Sequence, residues 1–114
     1  MQKVSIGVLA LVALTAAVPI HAAGDLDRAM IAIEAYDYPR ALPPLRTAAT
    51  QGDRRAQLLL GFMLLHGERL FRGISADPTE AMTWFRKASA QGDEQAAWVV
   101  ARIERGLVAK AAPR

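Results

Sequence analysis

The chain has 114 residues and no cysteine, which excludes disulfides and a lipid attached through an N-terminal cysteine. Its 14 lysines and arginines nearly balance its 11 aspartates and glutamates. This balance gives no support for a role in binding nucleic acid. The length is that of one small domain, whose core must hold without disulfides.

The N-terminal segment has the layout of a secretory signal peptide. Lys3 precedes an uncharged apolar run over residues 4–18, which is followed by Pro19 and then by Ile20-His21-Ala22, where Ala22 offers a small residue for cleavage. The run is shorter than the roughly 20 residues that a membrane-spanning helix needs. We expect cleavage after Ala22, or after Ala17, and an uncleaved anchor is the alternative. The mature protein is then expected to be periplasmic or secreted, without membrane attachment.

One stretch of the chain occurs twice, at an offset of 40 residues. Residues 37–62 and 77–102 share eight identities in 26 aligned positions. Both copies contain the sequence Gln-Gly-Asp, which ends at Asp53 and at Asp93. A fixed period of this length is typical of helical repeat arrays.

Caps and apolar spacing predict an all-α chain of five helices. The predicted helices cover residues 26–35, 39–50, 54–66, 78 to the turn at 92, and 94–105. Aspartates at four helix starts are predicted N-caps, namely Asp25, Asp53, Asp77 and Asp93. Pro43 and Pro44 predict a bend in helix two or a start delayed to Pro43. Glu80 has the spacing of a capping box with Asp77, and Gly106 is predicted to end helix five.

The remaining segments are assigned from their apolar residues. The predicted apolar face of helix one consists of Met30 and Ile33, with Ile31 as a further candidate. The loop over residues 68–76 is long, and its apolar members are expected to pack on the core; they are Leu70, Phe71 and Ile74. We divide the chain into a signal peptide (1–22), a repeat domain (23–106) and a frayed tail (107–114).

Several spaced positions agree with one known repeat. They are Ala56-Gln57, Leu60-Gly61, Met63 and Gly67, then Asp77, Ala81, Trp84, Ala88, Gln91-Gly92-Asp93 and Ala96. This pattern resembles the Sel1-like repeat family, a relative of the tetratricopeptide repeat. Leu64 stands where that family usually has tyrosine, and the loop before Asp77 is longer than usual.

The resemblance implies a fold and a class of function. The fold is a tetratricopeptide-like solenoid of antiparallel helix pairs, with one full unit and a partial unit on each side. The function is that of a protein-interaction scaffold, often in secreted or periplasmic bacterial proteins, with no catalytic residues. In this family Trp84 corresponds to a core position. Some cysteine-rich relatives are associated with β-lactam chemistry, so a cell-wall or β-lactam-related hydrolase is a remote alternative that the absence of cysteine disfavours.

The residues themselves predict no catalytic, metal or cofactor site. Only His66 lies outside the predicted signal peptide, and one histidine without a paired ligand is not a zinc site. We expect it to interact with the last carbonyls of its helix. A serine triad also lacks its histidine. The aspartates are accounted for as helix caps, so we predict that the protein is not an enzyme.

Helix three carries two apolar stripes. Ala56, Leu60, Met63 and Leu64 form the predicted core stripe. The second stripe combines with the equivalent face of helix five, 40 residues later, into a predicted protein- or peptide-binding groove. The residues of this predicted groove are Leu58, Phe62, Leu65, Trp98, Arg102 and Arg105. The alternatives are that helix one covers the second stripe, or that the stripe is buried in a homo-oligomer.

Overall fold

The computed structural model describes residues 24–111, with side chains described through residue 106. This part of the chain consists of five α-helices and one 3₁₀ turn, without a strand, which confirms the predicted all-α repeat fold. The helices are α1 (Gly24–Glu34), α2 (Tyr38–Thr50), α3 (Arg54–His66), α4 (Pro78–Ala90) and α5 (Glu94–Ala111), with the 3₁₀ turn at Gly67–Arg69. The predicted signal peptide and residues 112–114 of the predicted tail lie outside the described range.

The two Gln-Gly-Asp turns have the same geometry. After α2, the amides of Gly52 and Asp53 each donate at 3.1 Å to carbonyls in the last turn of the helix. Gly52 has a φ of 97°, a left-handed conformation that glycine adopts without steric cost. The carboxylate of Asp53 then accepts from two amides in the first turn of α3, at 2.9 and 3.1 Å. Gly92 and Asp93 repeat this arrangement between α4 and α5, as predicted.

A third copy of this turn joins α1 to α2, with tyrosine in the place of glycine. Tyr36 has a φ of 57°, and its amide donates at 2.9 Å to the carbonyl of Ile33. The amide of Asp37 donates to the carbonyl of Ala32, also at 2.9 Å, and Asp37 caps α2. A left-handed residue other than glycine costs about 1–2 kcal/mol. The first turn is therefore strained where its two counterparts are not.

The predicted start of α1 is wrong, and so is the delayed start at Pro43 that was one alternative for α2. α1 begins at Gly24, so Asp25 lies inside its first turn and pairs with Arg28 instead of capping the helix. α2 begins at Tyr38 and continues through both prolines, so its start is not delayed. Pro43 and Pro44 have no amide hydrogen, so two carbonyls one turn earlier lose their helical partners. These carbonyls belong to exposed residues, so water can reach them.

α5 continues past Gly106 to Ala111, although we predicted its end at that glycine. A glycine inside a helix costs only about 1 kcal/mol. It ends a helix when the residues after it turn back on the last carbonyls, and here Leu107 and Val108 continue the helix instead. The predicted boundary between domain and tail therefore falls inside α5.

The core lies between consecutive helices. All four residues of the predicted core stripe of α3 are buried, at 4% exposure or less. Leu45 of α2 and Phe85 of α4 are fully buried against the same cluster. In α1 the buried residues are Ala29 and Ala32, while Ile31 is 66% exposed, so the predicted apolar face of that helix is wrong at Ile31.

A buried glutamine connects the two Gln-Gly-Asp turns to the core. Gln57 is only 4% exposed, and its side-chain amide donates at 3.1 Å to the carbonyl of Ala49 in α2. Its own oxygen accepts at 2.8 Å from the side chain of Gln91, which follows α4. Because both polar atoms of the buried Gln57 side chain find a partner, three helix ends are held together without an unpaired buried group.

The long loop packs on the rest of the domain through two of its three apolar residues. Ile74 is buried, and Phe71 meets the ring of Tyr38 edge to face at 5.2 Å. Leu70 is 61% exposed, so its predicted packing on the core is wrong. The amide of Asp77 donates at 2.8 Å to the carbonyl of Leu64, which returns the chain to the end of α3.

Glu80 does not complete the predicted capping box, because the amide of Asp77 already donates to the carbonyl of Leu64 in α3. Its carboxylate instead accepts from Arg46 of α2 at 2.5 Å and from the indole of Trp84 at 2.8 Å. Burial raises the pKa of Glu80, but the bonds from Arg46 and Trp84 outweigh it and leave the pKa below its ordinary value. Trp84 is 7% exposed, as expected for a core position.

We predict that Gly61→Ala destabilises the fold by about 1–3 kcal/mol. A Cβ at Gly61 would lie 2.8–2.9 Å from the ring of Phe85, which is fully buried and has no space to move. Gly106→Ala is the matched control, since nothing lies within 4 Å of its Cβ position. The control is expected to stabilise α5 by up to about 1 kcal/mol. Urea unfolding of both variants checks this, and equal effects would contradict the close approach of α3 and α4.

We predict that Glu80→Gln lowers the free energy of unfolding by about 0.5–1 kcal/mol at neutral pH, since the ion pair is partly exposed. A carboxyl whose pKa is lowered by folding stabilises the protein above its ordinary pKa of 4.5. That stabilisation is lost as the pH falls through the lower, folded-state value. Urea unfolding at neutral and acidic pH should therefore show the difference disappear in acid. Glu104→Gln, in an exposed pair with Arg86, is the control and should change little.

Candidate binding groove

A groove of about 340 Å³ lies where α1, α3 and the start of α5 meet. It has five apolar residues, one arginine and one glutamine along its walls, and none of them is acidic. These lining residues are Leu26, Met30, Arg55, Leu58, Leu59, Phe62 and Gln95. Alternate helices of the array thus present side chains to one shared depression, as the first helices of stacked repeats do.

Leu58 and Phe62 of α3 lie together in this groove, as the second stripe predicted. Both are half-buried. The ring of Phe62 meets Phe85 of the core edge to face at 5.1 Å, so this residue belongs both to the core and to the surface. The imidazole of His66 lies parallel to the ring of Phe62, with the two ring centroids 6.2 Å apart. We had expected His66 to interact with the last carbonyls of its helix.

Helix α1 flanks the second stripe without closing over it. Leu26 and Met30 form the α1 side of the groove. Leu58 and Phe62 nevertheless keep part of their surface accessible. The arrangement is thus intermediate between the two expectations, a covered stripe and an open groove.

The α5 residues of the predicted groove lie along the next part of the same side. Trp98 is 58% exposed, and the guanidinium of Arg102 lies over its ring at 5.5 Å. Arg105 is exposed one turn further on. Gln95, which does line the groove, stands three residues before Trp98 on the same helical face. Trp98, Arg102 and Arg105 thus continue the groove surface along α5, but they do not line the depression itself.

Leu65, the remaining predicted residue, is half-buried and does not line the groove. Sequence reasoning also missed several lining residues. Arg55 and Leu59 stand at helical spacing from Leu58 and Phe62, so the pattern of α3 contained the signal for them. The contribution of α1 depends on how that helix packs, and no spacing within α3 or α5 indicates it.

A larger depression of about 630 Å³ lies between α1 and α2. Its lining is Asp25, Arg28, Ile31, Ala32, Ala35, Asp37, Arg40, Pro43, Pro44 and Thr47. None of these is aromatic, and Ile31 is the single large aliphatic side chain among them. Both depressions contain arginine, but only the groove at α3 also has an aromatic residue and a mainly aliphatic lining. Buried aromatic and aliphatic anchors are typical of the centre of a protein interface, which favours the groove.

Between residues 24 and 111, no helix combines the length and the apolar character needed to span a membrane. In the same range, no three histidine, cysteine, aspartate or glutamate side chains come together in a group that could hold a metal ion.

The comparisons with known proteins identify the repeat. The family model of the Sel1 repeat matches residues 54–93, which cover α3, the loop and α4 up to the second turn. Neither the curated proteins nor the solved structures gave a match. Sel1 repeats generally mediate protein–protein interaction. Residues 54–93 thus form a Sel1 repeat, as the pattern of these residues predicted.

Proposed function

We propose that this protein is a non-catalytic adaptor, exported to the bacterial periplasm, that binds a segment of a partner protein along α3 and α5. The observation that carries the proposal is the groove at Leu58 and Phe62, continued by the exposed indole of Trp98. An apolar floor beside an exposed tryptophan and arginine has the composition of an interaction hot spot. The signal-peptide layout of residues 1–22 supports export.

The size of the groove limits the partner to a segment rather than a globular surface. Its lining comes from about two turns of α3, about one turn of α1 and a single residue of α5, and the described domain is only five helices long. A helix or an extended peptide laid across repeats meets each helix in turn and places successive side chains against it. We therefore propose a peptide-like segment as the occupant.

Self-association is the second candidate, because an accessible apolar stripe at Leu58 and Phe62 can also be buried by another copy. Light scattering of the protein, purified from cells that express the full sequence, separates the two candidates. An adaptor is a monomer when no partner is present. A dimer that Trp98→Ala converts to monomer would favour self-association.

We predict that Trp98→Ala reduces capture of the partner at least about tenfold while leaving the fold unchanged, since this side chain is mostly exposed. A photo-crosslinking residue at position 98 identifies the partner in cells by mass spectrometry, and the alanine variant then measures the loss. Trp98 is a cleaner test than Phe62, which also packs on Phe85.

The matched control is Leu70→Ala, which removes a similarly exposed apolar side chain from the loop. It should leave capture unchanged. If both variants capture the partner as well as the unaltered protein, while helical circular dichroism is the same in all three, the assignment of the binding face is wrong.

A further inference from the structure

The contact of Arg102 with Trp98 prepares a charged group for binding. The central carbon of the guanidinium lies over the indole ring, 5.5 Å from its centroid. A cation–π contact of this kind occupies no N–H donor, so the guanidinium can still donate hydrogen bonds to a ligand. An arginine held in this way loses less side-chain entropy when it binds a carboxylate, so the contact contributes more to affinity.

The arginines beside the groove and along its continuation on α5 have no acidic partner in the described range. Four arginines of the helices form ion pairs with acidic residues: Arg28 with Asp25, Arg46 with Glu80, Arg54 with Asp93, and Arg86 with Glu104. Arg55, Arg102 and Arg105 form no ion pair with a residue of the described range. Arg40, Arg69 and Arg72 are also without such a pair, but they lie on α2 and the loop.

The apolar residues of this surface and most of its basic residues occupy different parts of it. The depression at Leu58 and Phe62 has Arg55 at its edge and no acidic lining residue. Along α5, Trp98 is followed by Arg102 and Arg105 on the same helical face. The acidic residue on that face is Glu94, which lies in the first turn of the helix. Positive charge is therefore concentrated towards the second half of α5.

We propose that the partner segment is acidic as well as apolar, an inference that rests on the proposed function. Aliphatic or aromatic side chains of the segment occupy the depression at Leu58 and Phe62. Aspartate or glutamate side chains beside them meet Arg102 and Arg105, with which a carboxylate forms paired, charge-assisted hydrogen bonds. Charge complementarity of this kind selects among partners and speeds association. The apolar floor favours such a segment over the phosphate backbone of a nucleic acid.

Selection from a random displayed peptide library tests the inference on the protein purified from cells that express the full sequence. The unaltered protein should enrich peptides that combine large apolar residues with aspartate or glutamate. The double variant Arg102→Glu, Arg105→Glu should lose about 10- to 100-fold in affinity for those peptides and should enrich lysine and arginine in their place.

The control is the double variant Arg69→Glu, Arg72→Glu, which makes the same change in net charge at two exposed loop positions. It should keep both the affinity and the acidic preference, because those arginines lie away from the groove. All four arginines are exposed, so circular dichroism should show the same helix content in both variants.

The outcomes separate the inference from the proposed function. Peptides that depend on Trp98 but carry no excess of acidic residues overturn the inference alone. An acidic preference that survives in Arg102→Glu, Arg105→Glu, or that disappears equally in the loop control, overturns it as well. A library that yields no binder weakened by Trp98→Ala contradicts the proposed function, and the inference with it.

Discussion

The fold depends on one repeated turn, in which a left-handed residue and an aspartate end one helix and start the next. The left-handed residue directs the following amides back to the last carbonyls, and the aspartate carboxylate accepts the first amides of the next helix. Since three of the four connections use this geometry, consecutive helices are antiparallel. Gln57 then joins the end of α2 to the end of α4 through hydrogen bonds inside the core.

This construction leaves one side of alternate helices without a covering layer. The buried stripe of α3 is used against α2 and α4, where Gly61 lets the ring of Phe85 approach closely. Leu58 and Phe62, on the other stripe, are flanked by α1 and by the start of α5, and neither helix covers them. The ring of Phe62 packs on the buried ring of Phe85, which fixes the floor of the groove. Trp98 lies exposed where the groove surface continues along α5. Rigid anchors bind with a smaller loss of entropy than mobile ones.

Sequence reasoning predicted the features whose cause is local. Both ends of α3 and the four residues of its buried apolar stripe follow from Asp53, Gly67 and the spacing of apolar side chains. It missed the third copy of the turn, because Tyr36 takes a left-handed conformation that its type disfavours. It also missed the role of Glu80, whose partner Arg46 is distant in sequence and becomes a neighbour only when α2 and α4 pack. The wall of the groove formed by α1 depends on tertiary packing in the same way.

The two tryptophans of the chain provide the most direct test that binding occurs on this side of the domain. The indole N–H of Trp84 is bonded to Glu80 in the interior, whereas Trp98 lies on the proposed binding surface. Each gives one resolved signal in a ¹H–¹⁵N spectrum of the protein labelled with ¹⁵N. When the crosslinked partner, or a peptide from it, is added, the signal of Trp98 should shift or broaden while that of Trp84 stays in place. A shift of Trp84 alone, or saturating binding that moves neither signal, would contradict the account.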